Sequence, residues 1–153
     1  MIEPGSPFPR FALTAHDGSA VTSETLAGAG YLIYFYPKAD TPGCTAEACQ
    51  LRDSWSELAE LGVTVVGVSY DAPESNRRFA EKHRLPFLLL SDRERTLAKA
   101  VGAARLLLPV PKRISYLVDG DGTVLRAYPS VVPASHAEQV LTDLRSLLAS
   151  SSD

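Results

Sequence analysis

The chain has 153 residues, of which 45% are hydrophobic and 22% charged, a composition ordinary for a globular domain that buries its own core. Its net charge of −3 offers no basic surface for nucleic acid, and its longest apolar run, about six residues, is far too short to span a bilayer. We therefore predict one domain over 1–153, with a frayed tail at 149–153 and with neither nucleic acid nor a membrane as a partner.

The first half of the chain predicts a hairpin, two strands and a helix. An Asp-Gly turn between two short apolar segments indicates the hairpin. Two segments that are apolar at nearly every position are typical of strands buried on both faces, and the helical stretch between them ends before a glycine. In chain order, these predicted elements are the hairpin strands 11–15 and 20–22, the strand 31–36, the helix 42–61 and the strand 63–69.

The second half continues the alternation of helices and strands. Its predicted elements are the helix 73–83, the strand 87–90, the helix 93–100, the strands 113–118 and 123–128, and the helix 134–148. The last two strands are joined by a turn of aspartates and glycines and form an antiparallel hairpin at one edge of the sheet. This order predicts an α/β fold of thioredoxin-like layout, with a central mixed sheet flanked by helices and a hairpin at the N-terminal end.

Cys44 and Cys49 are the two cysteines of the chain and are too few for a disulfide framework. The first residues lack the basic and apolar regions of a secretory signal, so we expect a protein of the reducing cytoplasm. In that compartment two such cysteines are more typical of chemistry than of structure. Their spacing of five suits neither a redox dithiol of the thioredoxin kind nor a pair of zinc ligands.

The start of the helix 42–61 favours a reactive Cys44. Thr41 is a good N-cap residue, and Pro42 at the first helical position has the φ that a helix needs. Cys44 then lies in the first turn, where unpaired backbone N–H groups and the positive end of the helix dipole favour thiolate over thiol. The sequence therefore predicts a nucleophilic Cys44.

The spacing of the two cysteines predicts a helix that must unwind. Cys49 lies about 140° from Cys44 around the helix, toward the polar side. On an intact helix their Cα atoms are roughly 8–9 Å apart, whereas a disulfide needs about 7 Å or less. We therefore expect an intact helix in the reduced protein and melted first turns in the oxidised one. The stripe that we expect to face the core comprises Cys44, Ala48, Leu51, Trp55 and Leu58.

The cysteine segment resembles the peroxiredoxins, whose signature is Pro-x-x-x-Thr-x-x-Cys. Here it is Pro37-Lys-Ala-Asp-Thr41-Pro-Gly-Cys44, and the continuation Thr-Ala-Glu-Ala-Cys49 is similar to the branch named bacterioferritin comigratory protein, or peroxiredoxin Q. In that branch the resolving cysteine follows five positions later on the same helix. The segment Arg113-Ile-Ser-Tyr-Leu-Val-Asp is similar to the family's Arg-x-Thr-Phe-Leu-Ile-Asp strand, and the resemblance extends over about 7–148.

The resemblance implies a thiol peroxidase that needs no metal, haem or flavin. Cys44 would attack the terminal oxygen of a hydroperoxide and become a sulfenic acid. Cys49 would resolve it as an intramolecular disulfide, which thioredoxin or a similar dithiol would reduce. The resemblance implies hydrogen peroxide and organic hydroperoxides as substrates, without deciding which is preferred, and a role in antioxidant defence.

The resemblance also implies roles for the residues around Cys44. Thr41 would hold the peroxide and the thiolate through its hydroxyl, and Arg113 would support the thiolate and polarise the O–O bond. Pro37 and Pro42 would shape and shield the pocket. Arg105 is a weaker rival for the catalytic arginine, because no matching strand sequence follows it.

The residues alone are also compatible with two other functions. One is a thiol–disulfide oxidoreductase or redox sensor on the same fold, and the other is a binding module in which Cys44 is inert. No late cysteine exists to act across a dimer, which excludes the typical two-cysteine mechanism. We expect a monomer, with a dimer as the alternative, because the apolar loop 106–111 could cover either a pocket or a dimer contact.

The three histidines predict no metal site. His16, His83 and His136 share no ligand spacing, and we expect all three at the surface.

Overall fold

The structure is a computed structural model that describes residues 1–151, and these form seven strands and six helices. The strands are β1 (Ala12–Ala15), β2 (Ala20–Thr22), β3 (Gly30–Phe35), β4 (Val63–Ser69), β5 (Leu88–Ser91), β6 (Ser115–Val118) and β7 (Val124–Tyr128). The helices are α1 (Ser23–Leu26), α2 (Pro42–Asp53), α3 (Trp55–Glu60), α4 (Pro73–Lys82), α5 (Thr96–Val101) and α6 (His136–Ser151). Among the described residues no helix is both long and apolar enough to cross a bilayer.

All seven strands lie in one sheet, in the order β2-β1-β5-β4-β3-β6-β7. The three central strands β5, β4 and β3 are parallel to one another, and all the other pairs are antiparallel. The mixed sheet is therefore confirmed. The β6–β7 hairpin forms one edge of the sheet, as the sequence predicts, and the predicted N-terminal hairpin forms the other.

The two faces of the sheet carry two separate hydrophobic layers, because side chains alternate along β3. Leu32 and Tyr34 face a layer that includes α2, α4 and α6. Ile33 and Phe35 face the layer beneath α5 and the N-terminal segment. The predicted stripe is confirmed for its four fully buried members, while Trp55 is partly buried; the four are Cys44, Ala48, Leu51 and Leu58.

The predicted helix 42–61 is two helices that bend at Ser54. This residue has φ −97° and ψ 4°, outside the helical region. The Ser54 N–H still donates to the carbonyl of Gln50 (3.1 Å), and the Leu58 N–H donates to the carbonyl of Ser54 (3.0 Å). Helical hydrogen bonding therefore continues past Ser54, so α3 stays attached to α2.

Two other helix boundaries differ from the prediction by three residues each. Helix α5 begins at Thr96 rather than at 93, because the buried carboxylate of Asp92 accepts the N–H groups of Leu97 (3.3 Å) and Ala98 (2.8 Å). At the other end of the chain, α6 continues to Ser151, beyond the predicted end at 148. The last two residues of the predicted frayed tail, 152 and 153, lie outside the described residues.

The expectation that all three histidines lie at the surface is wrong for His136, which is fully buried at the start of α6. Its Nε2 lies 2.8 Å from the Ser115 hydroxyl, and its ring meets that of Tyr128 edge-on at 5.0 Å. A polar partner inside the protein makes such burial tolerable. Burial lowers the pKa of His136 from its ordinary value of 6.5.

This burial predicts a contribution of His136 to the pH dependence of stability. The unfolded chain protonates the ring near pH 6.5 and the folded chain only at lower pH, so the contribution is complete above pH 6.5 and is lost as the pH falls through the folded pKa. The free energy of unfolding should therefore fall more between about pH 7.5 and 5 in the wild type than in His136→Gln. Urea unfolding at several pH values measures both slopes, and equal slopes would contradict the prediction.

Candidate active site

Cys44 is the third residue of α2 and only 1% exposed. Arg113 Nη2 donates to its Sγ over 3.4 Å, so a guanidinium cation lies against the sulfur inside the protein. Both cysteines are free, and α2 is continuous through both of them. The intact helix predicted for the reduced state is therefore observed.

The sheet brings Arg113 to Cys44. β3 leads directly into the loop before α2, and β6 pairs with β3 antiparallel, with Ser115 opposite Tyr34. The residues just before β6 therefore lie beside the residues just after β3. The N–H of Phe35 donates to the carbonyl of Ile114 (2.8 Å) and holds these two segments together. On the other side, the N–H of Val131, which follows β7, donates to the carbonyl of Arg113 (3.4 Å).

Glu47 completes the site and was not predicted from the sequence. It is fully buried one turn after Cys44, and its Oε1 accepts from Arg113 Nη1 over 2.7 Å. Its Oε2 has no hydrogen-bond partner among the described residues. Arg113 therefore bridges Cys44 and Glu47, and a carboxylate on the same helix as the thiol fixes the direction of the guanidinium.

The charges of this group depend on one another. Burial raises the pKa of Glu47 to about 7, although Arg113 opposes the effect. Burial disfavours the charged form of Arg113 and so acts to lower its pKa. Cys44 and Glu47 outweigh this effect and raise the pKa of Arg113 above its usual range. The arginine therefore stays protonated, while Glu47 changes its charge near neutral pH.

A sequence signal for Glu47 did exist. At about 100° per residue, position 47 lies roughly 60° from Cys44 and on the same side of the helix as the predicted core stripe. A charged residue on a core-facing stripe needs a partner, since burial of an unpaired charge is costly. The partner is 66 residues away in sequence, so the signal indicates that a partner exists but not which residue it is.

Thr41 occupies the N-cap position of α2 but does not cap it with its side chain. The hydroxyl instead donates to the carbonyl of Lys38 over 2.7 Å, which closes the loop before the helix. This use of its proton leaves the oxygen able to accept a hydrogen bond. Pro37 is half-buried, and Pro42 is exposed at the first helical position, so both flank this loop.

The loop before Cys44 is fixed to α4 and to the end of β4. The Ala39 N–H donates to the Asp71 carboxylate (2.9 Å). Asp40, which has a left-handed φ of 60°, forms a salt bridge with Lys82 Nζ at 3.0 Å. Further along α2, Arg52 Nη1 donates to the carbonyl of His83 (2.8 Å). These bonds hold the loop before α2 and the far end of the helix in the conformation that presents Cys44 to Arg113.

Cys49 lies half-buried on another side of α2, five residues after Cys44. Of the predicted site residues, the structure thus brings Cys44 and Arg113 into contact. Arg105, the rival arginine, is exposed on the loop before β6, whereas Arg113 is half-buried against the sulfur.

Gly43 predicts a test of the position of Arg113. A Cβ on Gly43 would lie 3.0 Å from Arg113 Nη2, so alanine there must push the guanidinium by a few tenths of an ångström. Because reactivity depends on such distances, Gly43→Ala should lower the rate of thiol oxidation by peroxide about tenfold. Helix propensity favours alanine, so the melting temperature should not fall. Gln50→Ala, at an exposed position of α2, is the control that should keep the full rate.

Comparison with known proteins gives consistent matches over most of the chain. The profile of the AhpC/TSA family matches residues 4–127. Peroxiredoxin Bcp of Escherichia coli strain K12 is 39% identical over 150 residues, which cover 94% of this chain and 96% of that protein. Peroxiredoxin Bcp of Bacillus subtilis strain 168 is 38% identical over 152 residues, which cover 95% and 97%.

Solved structures agree with these matches. Peroxidoxin BcpB of Mycobacterium tuberculosis superposes with a TM-score of 0.89 at 34% identity, over 95% of this chain and 98% of that one. The bacterioferritin comigratory protein of Xanthomonas campestris, solved to explain its alkyl peroxide reduction activity, gives a TM-score of 0.85 at 30% identity, over 89% and 90%. The thioredoxin-like α/β fold is confirmed. The chain therefore belongs to the AhpC/TSA family, in its group of Bcp and Q peroxiredoxins, and is a thiol-dependent peroxidase of the oxidoreductase class.

Proposed function

We propose that Cys44 is the peroxidatic residue and that it reduces hydrogen peroxide and organic hydroperoxides. The observation that carries this proposal is the 3.4 Å contact between Cys44 Sγ and Arg113 Nη2 in a nearly closed site. A fixed guanidinium stabilises a thiolate and is ready to stabilise negative charge on a reacting oxygen. The alkyl peroxide reduction activity of the Xanthomonas campestris relative supports organic hydroperoxides as one class of substrate.

In the first step the Cys44 thiolate attacks the terminal oxygen of ROOH. An S–O bond forms, the O–O bond breaks, and the leaving oxygen departs as ROH with the hydrogen of the hydroperoxide, which leaves a sulfenate on Cys44. Arg113 donates to the oxygens while charge develops on them. The Thr41 hydroxyl oxygen accepts the hydrogen of the bound hydroperoxide, and Pro37 and Pro42 limit the access of water to the site.

In the second step the thiol of Cys49 attacks the sulfur of the protonated sulfenic acid. An S–S bond forms, the S–O bond breaks and water leaves. The regular helix keeps the Cα atoms of the two cysteines roughly 8–9 Å apart, so the turn that contains Glu47 must unwind first. Unwinding withdraws Glu47 from Arg113, so the bond between these two residues is present in the reactive, reduced conformation and is lost in the one that forms the disulfide.

A dithiol such as thioredoxin then reduces the disulfide and becomes a disulfide itself. We place this cycle in the cytoplasm, where both thiols return to the free state after each turnover. In this proposal all the electrons that reduce the peroxide come from thiols.

The direct test adds one equivalent of hydrogen peroxide to the reduced protein and follows its intact mass with time. We expect the loss of two hydrogens, far faster than the oxidation of glutathione under the same conditions. Oxidation no faster than that of glutathione would contradict the proposal. If the protein then exchanged rapidly with protein disulfides, the result would instead support a thiol–disulfide oxidoreductase.

A further inference from the structure

A protruding apolar loop, 104–111, connects α5 to the segment that carries Arg113. Leu106 and Leu107 are fully exposed and Leu108 is 54% exposed. The base of the loop is closed, because the Lys112 N–H donates to the carbonyl of Ala103 over 2.7 Å. Ala103 at one end is buried, so the loop rises from a fixed base and its leucines point away from the protein.

The leucines of loop 104–111 contribute little to the folded state. Leu106 and Leu107 leave their whole apolar surface in water, and burial of a leucine is worth roughly 1.5–3 kcal/mol in folding. Three consecutive exposed leucines form a contiguous patch, which in soluble proteins marks an interaction site. The other large apolar side chains that are exposed in the described part of the chain lie far apart in sequence.

The charges around loop 104–111 indicate the nature of its partner. The whole chain carries −3, yet no aspartate or glutamate occurs from 95 to 118, where five cations lie. Two of these, Arg105 and Lys112, are exposed directly beside the leucines. An apolar tip between cations is the pattern of segments that insert at the surface of an anionic bilayer, with leucines at the acyl boundary and cations at the phosphates.

A second copy of this chain fits loop 104–111 less well. Dimers of identical chains are usually two-fold symmetric, and each such contact pairs one patch with itself. A dimer centred on this loop would therefore place Arg105 and Lys112 of both copies against one another. Like charges at short range oppose association.

We propose that loop 104–111 docks on the surface of an anionic phospholipid bilayer. Because Arg113 lies only two residues beyond the loop, docking brings the Cys44 site close to the lipid. The expectation of no membrane partner rests on the length of apolar runs, which decides whether a chain spans a bilayer and not whether a loop binds its surface. This proposal does not depend on the role of either cysteine.

Co-sedimentation with vesicles tests the proposal. The probes are vesicles of phosphatidylglycerol with phosphatidylcholine, and vesicles of phosphatidylcholine alone. We expect binding to the anionic vesicles that weakens with added salt, and a loss of about tenfold or more in the double variant Leu106→Ser/Leu107→Ser. Arg105→Glu should reduce binding severalfold. The matched control Arg10→Glu, whose side chain is 89% exposed elsewhere, changes the net charge equally and should bind as the wild type does.

Three results would overturn the proposal. The first is equal binding by the wild type and the double leucine variant, or no binding by either, with circular dichroism showing both to be folded. The second is an equal loss of binding in Arg105→Glu and Arg10→Glu, which would make the effect one of net charge. The third is a dimer in sedimentation velocity that the leucine variant abolishes while no protein binds vesicles, which would assign the loop to a second copy.

Discussion

Cys44→Ser is expected to lower the rate of peroxide reduction by roughly three orders of magnitude or more, because a serine hydroxyl beside Arg113 stays protonated and is a poor nucleophile. The substitution keeps the shape of the site, so the melting temperature should change little. Stopped-flow mixing with hydrogen peroxide, followed by assay of the remaining peroxide, measures the loss. Activity within tenfold of the wild type would remove Cys44 from the mechanism.

Cys49→Ser is the matched variant and should behave differently. It keeps Cys44, Arg113 and Glu47 in place, so the first equivalent of peroxide should be consumed at nearly the wild-type rate. Intact mass should then show one added oxygen, and a second one after a second equivalent of peroxide, instead of the loss of two hydrogens. Continued turnover with a dithiol at the wild-type rate would show that Cys49 does not resolve the sulfenic acid.

The sequence predicts the centre of the sheet well and helix boundaries less well. β4 spans Val63–Ser69 as predicted, because a fully buried strand is apolar along its whole length and a glycine with φ of 80° precedes it. The sequence does not predict the bend at Ser54, since local hydrogen bonding continues through it and leaves no break in the apolar stripe. The predicted start of α5 is too early, because a carboxylate four residues before its first residue caps it.

The sequence alone predicts only part of the site. The position of Cys44 in the first turn of α2 follows from local signals, namely Pro42 at the first position and the apolar stripe. Its contact with Arg113 depends on the pairing of β3 with β6, more than 80 residues apart, which no local periodicity reveals. The family resemblance indicates Arg113, whereas the role of Glu47 follows from its burial and from its bond to Arg113, a bond that no sequence pattern shows.

At pH 8, where Glu47 is mostly ionised, Glu47→Gln should lower the rate of Cys44 oxidation by about 10- to 100-fold, because a neutral amide holds the guanidinium of Arg113 less firmly than a carboxylate does. Arg113→Met should cost more, about 100- to 1,000-fold, since it removes the charge beside the sulfur. If Glu47 acts through Arg113, Glu47→Gln should have almost no further effect in the Arg113→Met background. Additive losses in the double variant would mean that the two residues act separately.

The pH dependence separates this positioning role from a structural one. The pKa of Glu47 is about 7 in the folded protein against 4.5 ordinarily, so its contribution to stability is present below pH 4.5 and is lost as the pH rises through 7. At pH 8 the buried carboxylate therefore opposes folding, and Glu47→Gln should be no less stable than the wild type although it is slower. As the pH falls from 7 toward 5, urea unfolding should show the wild type gaining stability relative to the variant. A purely structural Glu47 would give the opposite result at pH 8, with rate and stability lost together.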